Sequence, residues 1–225
     1  MVAKRFVLFL LLASSLFLED TLSKPGKKKG KPSKDKQNND DCKGKKCSKP
    51  KKCSVEYTSE QIQNQLGLIP QFTNIRGYSF ENYRSTEEVI TDKSNRTAGS
   101  HIYYLIDASS PLDVYHQLLS DEVRYFYMGD PVKILELNNN VSGHIVETVL
   151  GDDILAGQNV MHVLERNTWF TALRIEGGPC GWSLIGMNES PGFEFEDLQV
   201  GNRTELISLF PEAEQSIIRL TENNE

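Results

Sequence analysis

The residues best suited to chemistry lie in and just before the stretch 120–131, SDEVRYFYMGDP. A carboxylate, Glu122, stands two residues from a guanidinium, Arg124, and the imidazole of His116 precedes it by six. An imidazole and a carboxylate brought together could move a proton or ligate a divalent metal. A carboxylate and a guanidinium on one face form an ion pair instead, tolerated in a core if both are well hydrogen-bonded. The stretch reads as one aromatic-rich strand running into a turn at 129–131. With Glu122 inward, a period of two puts Arg124, Phe126 and Met128 on the same face and Val123, Tyr125 and Tyr127 on the other. Large side chains on both faces predict a strand covered on both sides, as in a barrel or sandwich.

The elements that must position these groups are short and closely spaced. Strands are predicted at 101–106, 122–128, 132–137, 144–150, 160–164, 168–175 and 182–186, parted by turn signals such as Gly129-Asp-Pro, Gly151-Asp-Asp and Gly177-Gly-Pro. No 3.6-residue period runs for long among them, so the pattern predicts an all-β antiparallel sandwich or barrel. Helix is confined to the ends. Thr58 with Gln61 forms a capping box for Ser59–Leu66, stopped by Gly67. Two short helices, 204–209 and 212–220, flank Pro211 near the C-terminus. Residues 68–84 read as irregular and 93–100 as a polar loop.

Residues 1–23 carry Lys4 and Arg5, an apolar run from Phe6 to Ala13, then Ser14 and Ser15, the order of a secretory signal peptide cut between Ser15 and Ser23. No apolar run is long enough for a membrane span. Residues 24–53 hold thirteen lysines against three aspartates, a net charge of +10, and no apolar core formers. This lysine-rich stretch reads as a disordered basic arm. Residues 54–225 form the folded domain, with ten cations against twenty-six carboxylates, net −16. Outside the cell, the partners of the arm, Lys24 to Lys52, are anionic matrix and glycans. Nucleic acid is excluded by compartment and by the absence of aromatic residues for base stacking.

Secretion favours disulfides, and four cysteines, Cys42, Cys47, Cys53 and Cys180, allow three full pairings. One of these ties an arm cysteine to Cys180 and pins the arm to the domain. Their spacing fits no zinc signature. Sequons at Asn95, Asn140, Asn188 and Asn202 predict glycosylation on exposed loops.

The blocks DEVRYFYMGDP at 121–131 and SPGFEFEDLQ at 190–199 resemble the cupin superfamily, in particular a family of small single-domain cupins of unassigned function. IQNQLGL near the start, LGDD at 150–153, and Trp169 with Ala172 support the likeness. The resemblance implies a jelly-roll β-barrel, usually a homodimer. Catalytic cupins ligate a metal through His-x-His, a glutamate and a later histidine. Here Glu122 and Gly129 fit the second half of the first motif and His116 its first histidine, but Leu118 stands where the second histidine belongs. Around Trp169 the proline, glycine and final histidine of the second motif are absent. His116 and Glu122 give two ligands where such a site wants three or four. His162, in the neighbouring strand, takes an ordinary strand position, so no metal or other cofactor is assigned. The resemblance also covers metal-free isomerases that use a histidine base and a tyrosine acid. His116, Glu122 and Tyr125 or Tyr127 are therefore the catalytic candidates.

Against these stand plainer roles: a loop histidine for His116, and for Glu122 an ion pair with Arg124 that occupies the place of the metal. Arg124, Phe126 and Trp169 are the candidate pocket-lining residues, and Trp182, Phe193 and Phe195 are packing residues that could also line an apolar pocket. His101, His144 and His162 read as strand or core histidines. Glu194, Glu196 and Asp197 form a solvated acidic face without a calcium-loop pattern. The expectation is a secreted, non-catalytic cupin-fold protein serving as an extracellular matrix-associated binding or structural component, mineralised organic matrix included. The alternatives are a binder of a sugar-like or apolar small molecule, and a degenerate isomerase or epimerase.

Overall fold

Thr58 and Gln61 make the reciprocal cap that the sequence predicts. The Thr58 hydroxyl accepts from the Gln61 amide at 3.2 Å and the Gln61 side chain accepts from the Thr58 amide at 2.9 Å. The helix they start is α1 (Ser59–Leu66), and Gly67 ends it in the left-handed region. The structure, a computed structural model, describes residues 53–71, 77–91, 95–109 and 114–221, all within the unit Ser48–Glu225. The expected signal peptide, most of the basic arm, Cys42 and Cys47 lie outside the described residues.

The strands that follow are β1 (Ile69–Pro70), β2 (Tyr78–Arg84), β3 (Glu88–Ile90), β4 (Asn95–Thr97), β5 (Ser100–Asp107), β6 (His116–Gln117), β7 (Asp121–Gly129) and β8 (Val132–Leu137). They continue with β9 (Ile145–Leu150), β10 (Met161–Leu164), β11 (Phe170–Arg174), β12 (Trp182–Ser190) and β13 (Gln199–Val200), before α2 (Arg203–Leu209) and α3 (Glu214–Arg219). Four antiparallel pairs are nested, β8 with β9, β7 with β10, β6 with β11 and β5 with β12. A long nested hairpin rolled over on itself is a jelly roll. It forms two sheets, ordered β1-β2-β5-β12-β7-β10 and β13-β6-β11-β8-β9, with β3 and β4 as a separate hairpin. The two sheets face each other as the expected jelly roll, without closing into one continuous barrel.

Side-chain alternation explains why both sheets hold. Ile134 of β8 points inward to a core with Tyr104, Ile106, Phe170 and Ile185. Its neighbour Leu135 points outward, where α2 and α3 cover it with Leu206, Phe210 and Ile217. On the other sheet α1 lays Ile62 over Leu105, Trp182 and Leu184. Burying each such aliphatic side chain contributes about 1.5–3 kcal/mol.

Several expectations need correction. Residues 78–84 are a strand, not irregular, because β5 supplies a partner for its backbone. The polar loop at 93–100 contains β4. The helix expected at 212–220 begins as a 3-10 turn, Pro211–Ala213, and becomes α-helical only at Glu214. A bulge between β7 and β12, where Met128 pairs with Leu184 but Phe126 with Ile185, gives Tyr127 no partner and reverses the alternation. Met128 therefore packs on the outer cluster with Trp182, not on the face of Glu122. The outer face of β7 is only partly covered, since Tyr127 stays 41% exposed. Asn188 lies half-buried in the central strand β12 rather than on a loop. Asn140 is in an exposed turn, Asn95 is exposed on β4 and exposed Asn202 caps α2. No helix among the described residues is long and apolar enough to cross a membrane.

Asp130 ties the β7–β8 turn to the loop before β12. Fully buried, it accepts from the amides of Cys180 and Gly181 at 2.9 and 2.7 Å, and Arg174 lies 3.5 Å away. A side chain on Gly129 would strike the Trp182 carbonyl, and one on Gly178 the Asp130 carboxylate, so both positions require glycine. Cys180 in this loop is bridged to Cys53, 127 residues earlier. Closing a loop of that length stabilises the chain by up to about 5 kcal/mol. Reduction should thus lower the unfolding free energy by about 2–5 kcal/mol in urea titrations. Asp130→Ala should destabilise by about 3 kcal/mol and also speed the bridge's reduction by dithiothreitol. Equal reduction rates in the two proteins would contradict the link between Asp130 and the Cys180 loop.

Candidate functional site

Between the sheets lies a cavity of about 440 Å³. Its apolar wall includes Ile102, Tyr104, Leu118, Met187 and Leu198, and its polar wall is built from His116, Glu122, Arg124 and Glu189. The polar side chains arrive from three strands. Glu122 and Arg124 share the inward face of β7, as the period of two requires. Glu189 is Glu122's register partner on β12, and β6 brings in His116. All four are at least 93% buried.

The Arg124 Nε donates to Glu122, and the guanidinium carbon stands 4.8 Å above the centre of the Phe170 ring. The ion pair and the cation–π contact offset part of the desolvation of the arginine. His116 is not in a loop, as its sequence context suggests, but buried in β6. Its Nδ1–H donates to the Val114 carbonyl at 2.8 Å, and its ring meets Phe170 edge-on at 4.3 Å. Burial, with Arg124's positive charge second, pulls its pKa down to about 3. The imidazole is therefore neutral at physiological pH, with Nε2 the unprotonated nitrogen.

Glu189 is the group that sequence reasoning missed. Burial, then the charges of Glu122 and Asp197, push its pKa up to about 9. It carries a proton at neutral pH, and its Oε2 has no hydrogen-bond partner among the described residues. The signal was present in the alternation of WSLIGMNES, which puts Ile185, Met187 and Glu189 on one face. Ending the strand at Gly186 hid it.

The 190–199 block forms one wall of the cavity mouth, through Phe193, Glu194, Phe195 and Leu198. Two arginines clip it in place. Arg84 donates to the Phe193 carbonyl at 2.9 Å and pairs with Glu194 at 3.2 Å. Arg96, on β4, donates to the Gly192 carbonyl at 2.6 Å and pairs with Asp197. Asp197 is thus 5% exposed and ion-paired, not part of a solvated acidic face. Gly192 is needed because a Cβ there would come within 2.4 Å of Thr97.

The other candidates lie elsewhere. Tyr125 points out of the sandwich, opposite Gly186 and Met161, so β7 itself separates it from His116. Phe126 packs against the interior core, and Trp169 packs outside the second sheet beside α2 and α3; neither lines the cavity. Inward-facing His162 bonds Glu136 at 2.7 Å. No set of three or more His, Cys, Asp or Glu side chains among the described residues is placed to hold a metal ion. One imidazole and a carboxylate already bonded by a guanidinium do not fit a three- or four-ligand metal centre.

Cupins are among the proteins built on a jelly roll. The chain belongs to the family described as Cupin superfamily (DUF985), which matches residues 60–201. It is similar to a hypothetical protein from Leishmania major, at 24% identity and a TM-score of 0.66 over 74% of this chain and 100% of that one. It is likewise similar to a protein from Shewanella oneidensis, at 23% identity and a TM-score of 0.63 over 74% of this chain and 98% of that one. At these identities the likeness is one of fold. No curated protein matches the chain.

A carboxyl group whose folded pKa is raised binds a proton that the unfolded chain has released, so its contribution to stability falls as pH rises between the unfolded and folded values. Here that window runs from the ordinary carboxylate value of 4.5 to about 9. Between pH 5 and 8 the stability of the parent protein should therefore decline, and Glu189→Gln should flatten that decline. The difference should amount to roughly 4 kcal/mol over that range. Arg124→Leu should cost about 3–5 kcal/mol by leaving Glu122 uncompensated. Parallel pH profiles for the parent and Glu189→Gln would contradict the protonated state.

Proposed function

We propose that this is a secreted, non-catalytic, metal-independent cupin-fold binding protein. It holds a small molecule between its sheets, and its lysine-rich arm attaches it to anionic extracellular matrix. The observation that carries the binding reading is the 440 Å³ cavity, lined by buried polar groups of which the Glu189 Oε2 and Arg124 Nη1 atoms make no hydrogen bond among the described residues. Pockets of this size with few polar groups suit small ligands. Arg124's hold on Glu122 and the outward course of Tyr125 weigh against metal-dependent and histidine–tyrosine chemistry. The attachment reading rests on the net charge of +10 over residues 24–53, the order of charged, apolar and small residues in 1–23, and the sequons at the exposed Asn95, Asn140 and Asn202.

The two halves are tested together on the secreted protein. Native mass spectrometry should show a small organic molecule leaving the folded domain, and elemental analysis less than about 0.1 equivalent of transition metal where a real centre fills. Retention on heparin should be lost when residues 24–52 are deleted, and should weaken steeply with salt. Stoichiometric iron, manganese or nickel would overturn the metal-independent reading, and unchanged heparin retention would overturn the role of the arm.

A further inference from the structure

Glu189 gives the cavity a chemical preference. It is 7% exposed, lines the cavity and faces Glu122 and Arg124 on β7, Asp197 in the 3-10 turn at 195–197 and Arg96 on β4. Three carboxyl groups thus meet two guanidiniums. Arg124 is bonded to Glu122 and Arg96 to Asp197, so the third carboxyl, Glu189, has no cation to match it. In a dry interior such a group stays protonated, which makes it a hydrogen-bond donor as well as an acceptor.

The rest of the lining narrows what the donor can meet. The second guanidinium on the cavity wall, Arg84, is bonded to Glu81 and Glu194. An anion would therefore be desolvated beside Glu122 and Glu189 without a free countercharge. A cation would have to displace the Glu189 proton as well as lose its own water. An uncharged molecule meets neither cost, and Ile102, Leu118 and Met187 offer its apolar part contact. A hydroxyl or carbonyl oxygen would satisfy the otherwise unmatched carboxyl.

Resting on the cavity's being a ligand site, we propose that it selects a small uncharged molecule with an apolar body and a hydroxyl or carbonyl oxygen. Glu189 makes the selection by donating a hydrogen bond from its carboxyl to that oxygen. It is a binding residue with no part in bond-breaking.

The test uses the mature full-length chain and four matched probes: cyclohexanol, methylcyclohexane, cyclohexanecarboxylate and cyclohexylammonium. The Met187 methyl group lines the cavity, so its ¹³C NMR signal reports entry while calorimetry gives affinity. At pH 7 cyclohexanol should shift that signal and bind about five- to tenfold more tightly than methylcyclohexane, and the two ions should bind more weakly still. Raising the pH through about 9 should weaken cyclohexanol binding to the parent protein. Glu189→Gln keeps an N–H donor that does not titrate, so it should bind cyclohexanol with no such pH dependence, and Glu189→Leu should lose the preference over methylcyclohexane. If an ion shifts the Met187 signal at lower concentration than cyclohexanol, the cavity is a ligand site but the class is wrong. If no probe shifts it, the ligand-site reading fails and this inference with it. Loss of cyclohexanol binding above pH 9 in Glu189→Gln as well as in the parent would remove Glu189 from the account.

Discussion

Glu122 on β7 and Glu189 on β12 are register partners that project into the same dry space, and the fold cannot leave both charged without compensation. Two ionised carboxylates facing each other at low dielectric repel strongly, and each also loses its hydration. The structure meets this in two ways. Arg124, two residues along the same strand face, matches Glu122. A proton neutralises Glu189. What remains is an interior with several buried ionisable groups and almost no net charge.

That arrangement shapes the chemistry of the cavity. The guanidinium lies against the carboxylate of Glu122, and the Phe170 ring faces the guanidinium and meets the imidazole edge-on. The imidazole loses its basicity to burial, so no strong base is assembled, and among the described residues no set of three or more His, Cys, Asp or Glu side chains is placed to hold a metal ion. Around the rim the same logic recurs, with one pair exposed, Arg84–Glu194, and one largely buried, Arg96–Asp197. Arg84 and Arg96 reach from β2 and β4 to hold the 190–199 block by both its carbonyls and its carboxylates. At the far end of β7, Asp130 holds the loop that carries the Cys53–Cys180 bridge. A buried acid thus stands near the start of β7 and another just past its end, one serving the cavity and the other the framework.

Much of the fold was legible because its signals are local. The Thr58–Gln61 cap, the turn at Gly129 and the strand Val132–Leu137 each rest on signals within a few residues, and all three stand where the sequence puts them. The site was half legible for the same reason: Glu122 and Arg124 share a face by simple periodicity. Glu189 was not, because its importance comes from standing opposite Glu122 across a strand pair that no short-range pattern reveals. Tyr127's bulge and Met128's reversal likewise arise from register between β7 and β12. Tyr78–Arg84 reads as irregular until β5 is available to pair with it, and Asp197 reads as surface until Arg96 arrives from another hairpin.

The central claim, that the cavity's charge is balanced by a proton on Glu189, is open to direct observation. Carboxyl-¹³C NMR of glutamate-labelled protein should show one glutamate titrating near pH 9, and that transition should be absent from Glu189→Gln. If every glutamate instead completes its titration below about pH 6, Glu189 is an ordinary carboxylate and the account of a charge-balanced cavity is wrong.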